Sequence, residues 1–218
     1  MLSKESKAKE KQEPKGIAGT AYMLIHDFLY VLAIITVVFV FFARLTGVHG
    51  SSMFPTLVGA QEEGSLKGDF LVLQSNVVST NYKQGDIVVA CVPTFENGKP
   101  LVKRVIATEG QTVDMHYDYS GDGGFYVFVD GEKLDEPYIN GEMLETLYTT
   151  IEFPATVPDN CYFLMGDNRN NSNDSRNPQI GMVNRQYIVG KSLFIIFPGV
   201  NENGVRDWSR IGPPRSAA

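Results

Sequence analysis

Cysteine, histidine and tryptophan are scarce in this 218-residue chain, at two, three and one respectively. Two thiols, Cys91 and Cys161, are too few for a disulfide scaffold, and neither has a His or Cys neighbour at metal-ligand spacing. One disulfide between them stays open, but both lie in strand-like apolar runs (Ile87–Val92 and Cys161–Met165), which favours buried free thiols. Positive charge is also in deficit. Nineteen Lys and Arg against 25 Asp and Glu give a net charge of -6, which argues against nucleic acid as a partner. Internal repeats are absent, and no segment has the ligand spacing of a metal site. The acidic turn Asp118–Gly124 lacks that of a calcium loop, so no metal or cofactor is expected.

Only one long apolar run is present. Tyr22 to Ala43 is interrupted by His26, Asp27 and Thr36 alone, and its 22 residues would span about 33 Å as a helix, close to the thickness of a bilayer's hydrocarbon core. Arg44-Leu45-Thr46-Gly47-Val48 follows, with no small-x-small cleavage site, so the run reads as a retained anchor over residues 16–43. Five lysines (Lys4, Lys7, Lys9, Lys11 and Lys15) precede it, whereas Arg44 is the only Lys or Arg in the next twenty residues. The expected topology is single-pass in the cell membrane, with residues 1–15 a solvated cytoplasmic tail and the rest extracytoplasmic.

Beyond the anchor, short apolar runs are cut by Gly, Pro, Asn and Asp, the pattern of a mainly β fold. Strands are expected at Asp69–Leu73, Asp86–Val92, Val102–Thr108, Thr112–His116, Tyr126–Val129, Tyr162–Gly166 and Ser192–Phe197. Asp130-Gly131 predicts a tight hairpin. Residues 110–158 read as a small inserted β lobe dividing a catalytic core of residues 44–109 and 159–218.

Three segments carry the chemistry. Gly50-Ser51-Ser52-Met53-Phe54-Pro55-Thr56-Leu57 begins seven residues after the apolar run; Leu101-Val102-Lys103-Arg104-Val105-Ile106 and Gly166-Asp167-Asn168-Arg169-Asn170-Asn171-Ser172-Asn173-Asp174-Ser175-Arg176 follow. A serine hydroxyl needs a base to act as a nucleophile. Of the three histidines, His26 is in the anchor, His49 lies three residues from Ser52, and His116 falls in the lobe. A Ser-His-Asp arrangement through His116 has no further support in the sequence. Lys103 is the alternative base, and it must be neutral to serve. On a strand it shares a face with Leu101 and Val105, and burial among apolar side chains lowers a lysine's pKa.

These segments, in this order behind an anchor, resemble the bacterial type I signal peptidases, which carry S-M-x-P-T-L, K-R-V and G-D-N-R-x-x-S-x-D-S-R. The resemblance extends from the anchor to about Phe197. It implies a signal-peptidase/LexA-like β-rich catalytic fold. It also implies removal of signal peptides from exported preproteins after a small-x-small motif, through a Ser-Lys dyad and an acyl-enzyme. It assigns Ser52 as nucleophile, Lys103 as general base and Ser172 as the group orienting the lysine. Arg104, Asp167, Asp174 and Arg176 become a charged scaffold, and Met53, Leu57 and Val102 walls of the small-residue pockets. Gly50 stands where Gram-negative members have a serine that helps bind the oxyanion, leaving that task to backbone N–H groups including that of Ser52. Glu109 stands where a proline is common. The partners implied are signal peptides and the bilayer. Two other readings are a LexA-type self-cleaving protein, which the anchor and acidic balance oppose, and a silent membrane scaffold, which the intact Ser52, Lys103 and Ser172 oppose.

Overall fold

The computed structural model describes residues 16–62, 65–79, 81–119, 123–144, 151–201 and 203–214. The lysine-rich tail and the centre of the 118–124 turn lie outside these residues. The chain forms two units, which divide after Val40.

The first unit holds one helix, α1 (Ile17–Phe41). Its window of highest mean hydropathy reaches 2.0, and it is long and apolar enough to cross a membrane. Large apolar side chains are exposed around it, Phe28, Leu29 and Tyr30 on consecutive positions among them. That is the pattern of a helix whose apolar surface is not satisfied within the protein. The helix starts within one residue of the expected 16–43 span but stops two residues short of its end, at Phe41. Ala43 instead opens a strand, and Phe42 O accepts a hydrogen bond from Ser75 N at 3.0 Å. Apolar residues serve helix and strand alike, so hydropathy alone could not place this boundary.

The second unit is mainly β, with every paired strand antiparallel. Its strands are β1 (Ala43–Gly47), β2 (Phe70–Ser75), β3 (Ile87–Cys91), β4 (Pro100–Thr108), β5 (Thr112–Asp118), β6 (Gly124–Val129), β7 (Glu132–Lys133), β8 (Ala155–Thr156), β9 (Cys161–Met165), β10 (Val183–Asn184) and β11 (Ile188–Phe197). Seven of them form one sheet in the order β1-β2-β11-β3-β4-β9-β10, and the other four form a second in the order β7-β6-β5-β8. All seven strands expected from the sequence are present. β1, β8 and β10 were not foreseen. They are short, and β1 is half exposed with no alternating pattern to mark it. β11 begins four residues earlier than expected, because Gly190 and Lys191 mask its first half.

The hairpin at Asp130-Gly131 forms as predicted. Both residues have positive φ, 54° and 83°, and Val129 pairs with Glu132 across the turn. This is the backbone that Asp-Gly adopts at least cost. Glu109 also has a place: its carboxylate accepts the Asn160 N–H at 2.7 Å and ties the turn after β4 to the start of β9. Cys91 and Cys161 are free, as expected, but only partly buried; burial still pushes both thiols up.

β4 lies between β3 and β9 and is buried on both faces from Val102 to Ala107. Val105 packs into one apolar cluster with Val88 and Leu164, Ile106 into a second with Phe163, and Val102 into a third with Met53 and Leu57. A side chain on this strand has almost no route to water. That decides the character of the residue at position 103.

Candidate active site

The segment around Ser52 is a tight turn seated on apolar anchors. Phe54 N donates to Ser51 O at 3.0 Å and Leu57 N to Met53 O at 2.8 Å, while Gly50 N donates to Ala60 O at 2.9 Å. Met53 and Leu57 point down into the cluster shared with Val48, Leu71, Val89 and Val102. Those buried residues fix the turn, and Ser52 is left partly exposed above them.

Lys103 lies opposite Val88 on β3 and is 3% exposed. Its Nζ donates to Ser52 Oγ at 2.7 Å and to Val102 O at 2.9 Å. Residues 51 positions apart in the chain thus meet at hydrogen-bonding distance. Burial lowers the Lys103 pKa to about 8; the Asp174 and Asp167 carboxylates work against that shift and Arg176 works with it. Neither His49 nor His116 hydrogen-bonds Ser52. His49 makes a backbone bridge with Ala60. His116 stands exposed on β5, pairs with Asp114 Oδ2 at 3.1 Å, and stacks on Phe128.

The loop from Gly166 to Arg176 closes the other side. Asn168 N donates to Ser52 O at 3.0 Å, Asn168 Nδ2 to Ser51 O at 3.1 Å, and Asn171 Nδ2 to Ser51 Oγ at 2.8 Å. Gly166 is the only residue type that permits this approach. A Cβ there would lie 2.3 Å from Ser172 Oγ and 2.4 Å from Ser52 O. Ser172 Oγ is buried without a well-formed hydrogen bond to any described residue, and none joins it to Lys103. The nearby Asp174 carboxylate nevertheless feels the hydroxyl.

Two ion pairs brace the loop. Arg104 holds Asp167 bidentately, Nε to Oδ1 at 2.8 Å and Nη2 to Oδ2 at 2.7 Å, and both side chains are fully buried. Thr56 Oγ1 donates to Asp167 Oδ2 at 2.5 Å, joining the Ser52 turn to the same carboxylate. Arg176 holds Asp174 through two bonds of 2.8 Å, and Gly166 N adds a third at 3.0 Å. Burial works to raise the Asp174 pKa, but the Arg176 guanidinium and the Gly166 N–H outweigh it and hold the acid below the usual carboxylate range. Such bidentate pairs fix orientation as well as charge. Met53, Leu57 and Val102 are 1%, 0% and 9% exposed, so of the three only Val102 shows appreciable surface.

Several residues of this site escaped the sequence reading. Thr56, Asn168 and Asn171 lie inside the quoted motifs and were legible there as polar side chains, without partners. Asp69 and Arg210 were not. Asp69 is fully buried and receives Val58 N, Gly199 N and both terminal nitrogens of Arg210, whose Nη2 also donates to Thr56 O at 3.1 Å. Positions so far apart in sequence carry no local signal of their contact.

A serine hydroxyl bonded to a buried, low-pKa lysine, with charged groups locked behind it, can perform acyl transfer. A family model for signal peptidase, peptidase S26, matches residues 22–197. Signal peptidase I S of Bacillus subtilis (strain 168) is 35% identical over 159 residues, covering 69% of this chain and 75% of that one. Signal peptidase I of Bacillus licheniformis is 32% identical over 173 residues, covering 77% and 83%. Signal peptidase I U of Bacillus subtilis (strain 168) is 29% identical over 202 residues, covering 91% and 96%. The match takes in the apolar helix from Tyr22 onward, the Ser52 turn, β4 and the loop that braces them, and on it the chain belongs to the signal peptidase family, peptidase S26.

Proposed function

We propose that this peptidase removes signal peptides from preproteins through a dyad of Ser52 and Lys103, and the observation that carries the reading is the 2.7 Å contact between Ser52 Oγ and a lysine amine that is 3% exposed. With Nζ neutral, its lone pair takes the Ser52 proton as Oγ adds to the scissile carbonyl. The resulting ammonium then protonates the departing amine, leaving an acyl-enzyme on Ser52. Water, deprotonated by the same amine, releases the acid product and restores the hydroxyl. No step requires a cofactor. The Ser52 backbone N–H is a donor for the developing oxyanion. Ser172 takes the role of steadying the amine on the strength of its motif position and buried hydroxyl, and the Arg104–Asp167 and Asp174–Arg176 pairs hold the surrounding backbone. The substrate is an extended segment with small residues before the cut, gripped between β4 and the segment before Ser52, where Val102 offers surface and the buried Met53 and Leu57 support it from beneath.

The pH dependence follows from the amine. With a pKa of about 8, roughly one tenth of Lys103 is neutral at pH 7 and half at pH 8. Cleavage of a small-x-small peptide should therefore rise about fivefold from pH 7 to pH 8 and level off above pH 9. A profile of kcat/KM that is flat or falling between pH 6.5 and 9 would refute the general-base assignment.

The helix Ile17–Phe41 is proposed as the membrane anchor, with the amino terminus cytoplasmic and the β unit outside. The lysine-rich residues 1–15 and the single Arg44 after the helix support that orientation. The acidic balance argues against nucleic acid as a partner. Protease added to cells stripped of their wall should degrade the β unit and spare an epitope placed at residue 1. Degradation of the epitope with the β unit protected would reverse the assignment.

A further inference from the structure

The inserted lobe meets the catalytic loop through Glu142–Leu144, which bond Asn170 and Arg176, and through a second contact that is buried and charged. Between β7 and β8 the chain reads Glu136-Pro137-Tyr138-Ile139-Asn140. Arg169 donates to Glu136 through Nη1 at 2.7 Å and Nη2 at 2.5 Å, with side-chain exposures of 1% and 7%. Tyr138 donates its hydroxyl to the same carboxylate at 2.9 Å, and the Arg104 guanidinium lies 3.8 Å from the centre of its ring. Asn140 N donates to Asp167 O at 3.0 Å. One short strap therefore grips the partner of Asp167, the backbone of Asp167 itself, and a residue two positions further along the loop.

We propose that Glu136 and Tyr138 are positioning residues for cleavage: the strap seals water out of the space behind Lys103 and holds the Arg104–Asp167 pair that sets the loop. The proposal rests on the reading of Lys103 as base. Burial is the first cause of the low Lys103 pKa, and the charged groups facing the amine are Asp167, Asp174 and Arg176. Arg104 turns away from it to Asp167 and Tyr138. Glu136 and Arg169 cancel each other's charge, so removing both leaves the net charge near Lys103 unchanged. A change in its titration on removing that pair then reports water entry. Arg169 lies within the family motif, but Glu136 and Tyr138 lie in the lobe, where neither periodicity nor the dyad chemistry points to them.

The test uses the full chain in detergent and a small-x-small peptide, with kcat and KM measured from pH 6 to 10. Tyr138→Leu removes the ring from Arg104. It should lower kcat at pH 7 by about tenfold or more with KM little changed. It should also move the midpoint of the pH profile upward by at least about half a unit, as the amine regains water. Tyr138→Phe, which keeps the ring and loses only the bond to Glu136, should restore most of the rate. The double variant Glu136→Gln/Arg169→Met should shift the midpoint in the same direction. If Tyr138→Leu does not fold, the double variant and Tyr138→Phe decide by the same two readouts. A loss of rate that matches the loss of folded protein, with the midpoint unmoved, overturns the proposal. An active Lys103→Arg control would overturn the dyad reading instead, and so separates the two failures.

Discussion

Lys103→Arg should lose peptide cleavage by at least about 10³-fold at every pH from 6 to 10, and Ser52→Ala should lose it by a similar factor or more. Arginine keeps a buried positive charge and can still donate to Ser52 Oγ, but it has no accessible neutral form and cannot take the serine proton. Lys103→Met should be equally inactive, yet it should fold well. The sign follows from the lowered pKa. The unfolded lysine binds a proton up to about pH 10.5, whereas the folded one releases it at about 8. The folded state is therefore penalised at pH 7, by about 3 kcal/mol at most. The penalty is full below pH 8 and disappears as the pH rises through 10.5. Lys103→Met should consequently be as stable as the parent or more so at pH 7, with its advantage shrinking above pH 8. Denaturant melts at pH 7 and pH 10 measure this. A Lys103→Met protein less stable at pH 7 than at pH 10, relative to the parent, contradicts a buried neutral amine.

Asp167→Ala should be the most destabilising single change in the loop, by about 3–5 kcal/mol. Arg104 is fully buried, and the substitution would leave its guanidinium without a counter-charge while Thr56 Oγ1 loses its acceptor. Against a total stability on the order of 5–15 kcal/mol, that loss shifts the melting temperature by roughly 10 °C or more. Replacing both partners, Arg104→Met with Asp167→Leu, should recover much of the stability, because no isolated charge remains. Cleavage should stay low in the double variant, since the Ser52 turn and the loop are no longer tied through one carboxylate. A single variant that melts within 2–3 °C of the parent would show that water reaches Arg104 and that the pair is not a structural brace.

The segments that matter most were legible because their information is local. Ser52, Lys103 and the loop from Gly166 to Arg176 stand in short ordered motifs. The seven strands expected from alternation and turn residues are all present, and Asp130-Gly131 specifies its own hairpin by the φ values it tolerates. The helix could be read from one uninterrupted apolar run. Its end could not, because Phe42 and Ala43 were recruited by hydrogen bonds to β2, a strand some thirty residues away.

By itself the amino-acid order determined seven of the strands, the one long apolar helix and the residue types available for acyl transfer, since these depend on each residue and its near neighbours. The tertiary structure decided what those residues are chemically. Lysine is a cation by default, and the Lys103 pKa falls because β4 is covered on both faces, while Ser52 reaches hydrogen-bonding distance of it from 51 positions away. Arg104, Glu136, Tyr138 and Arg169 are ordinary polar residues in sequence. They become a buried cluster because residues 136–140 pack against Arg104 and the loop from Gly166 to Arg176. Desolvation and long-range pairing are properties of the packed chain, and no local pattern encodes them.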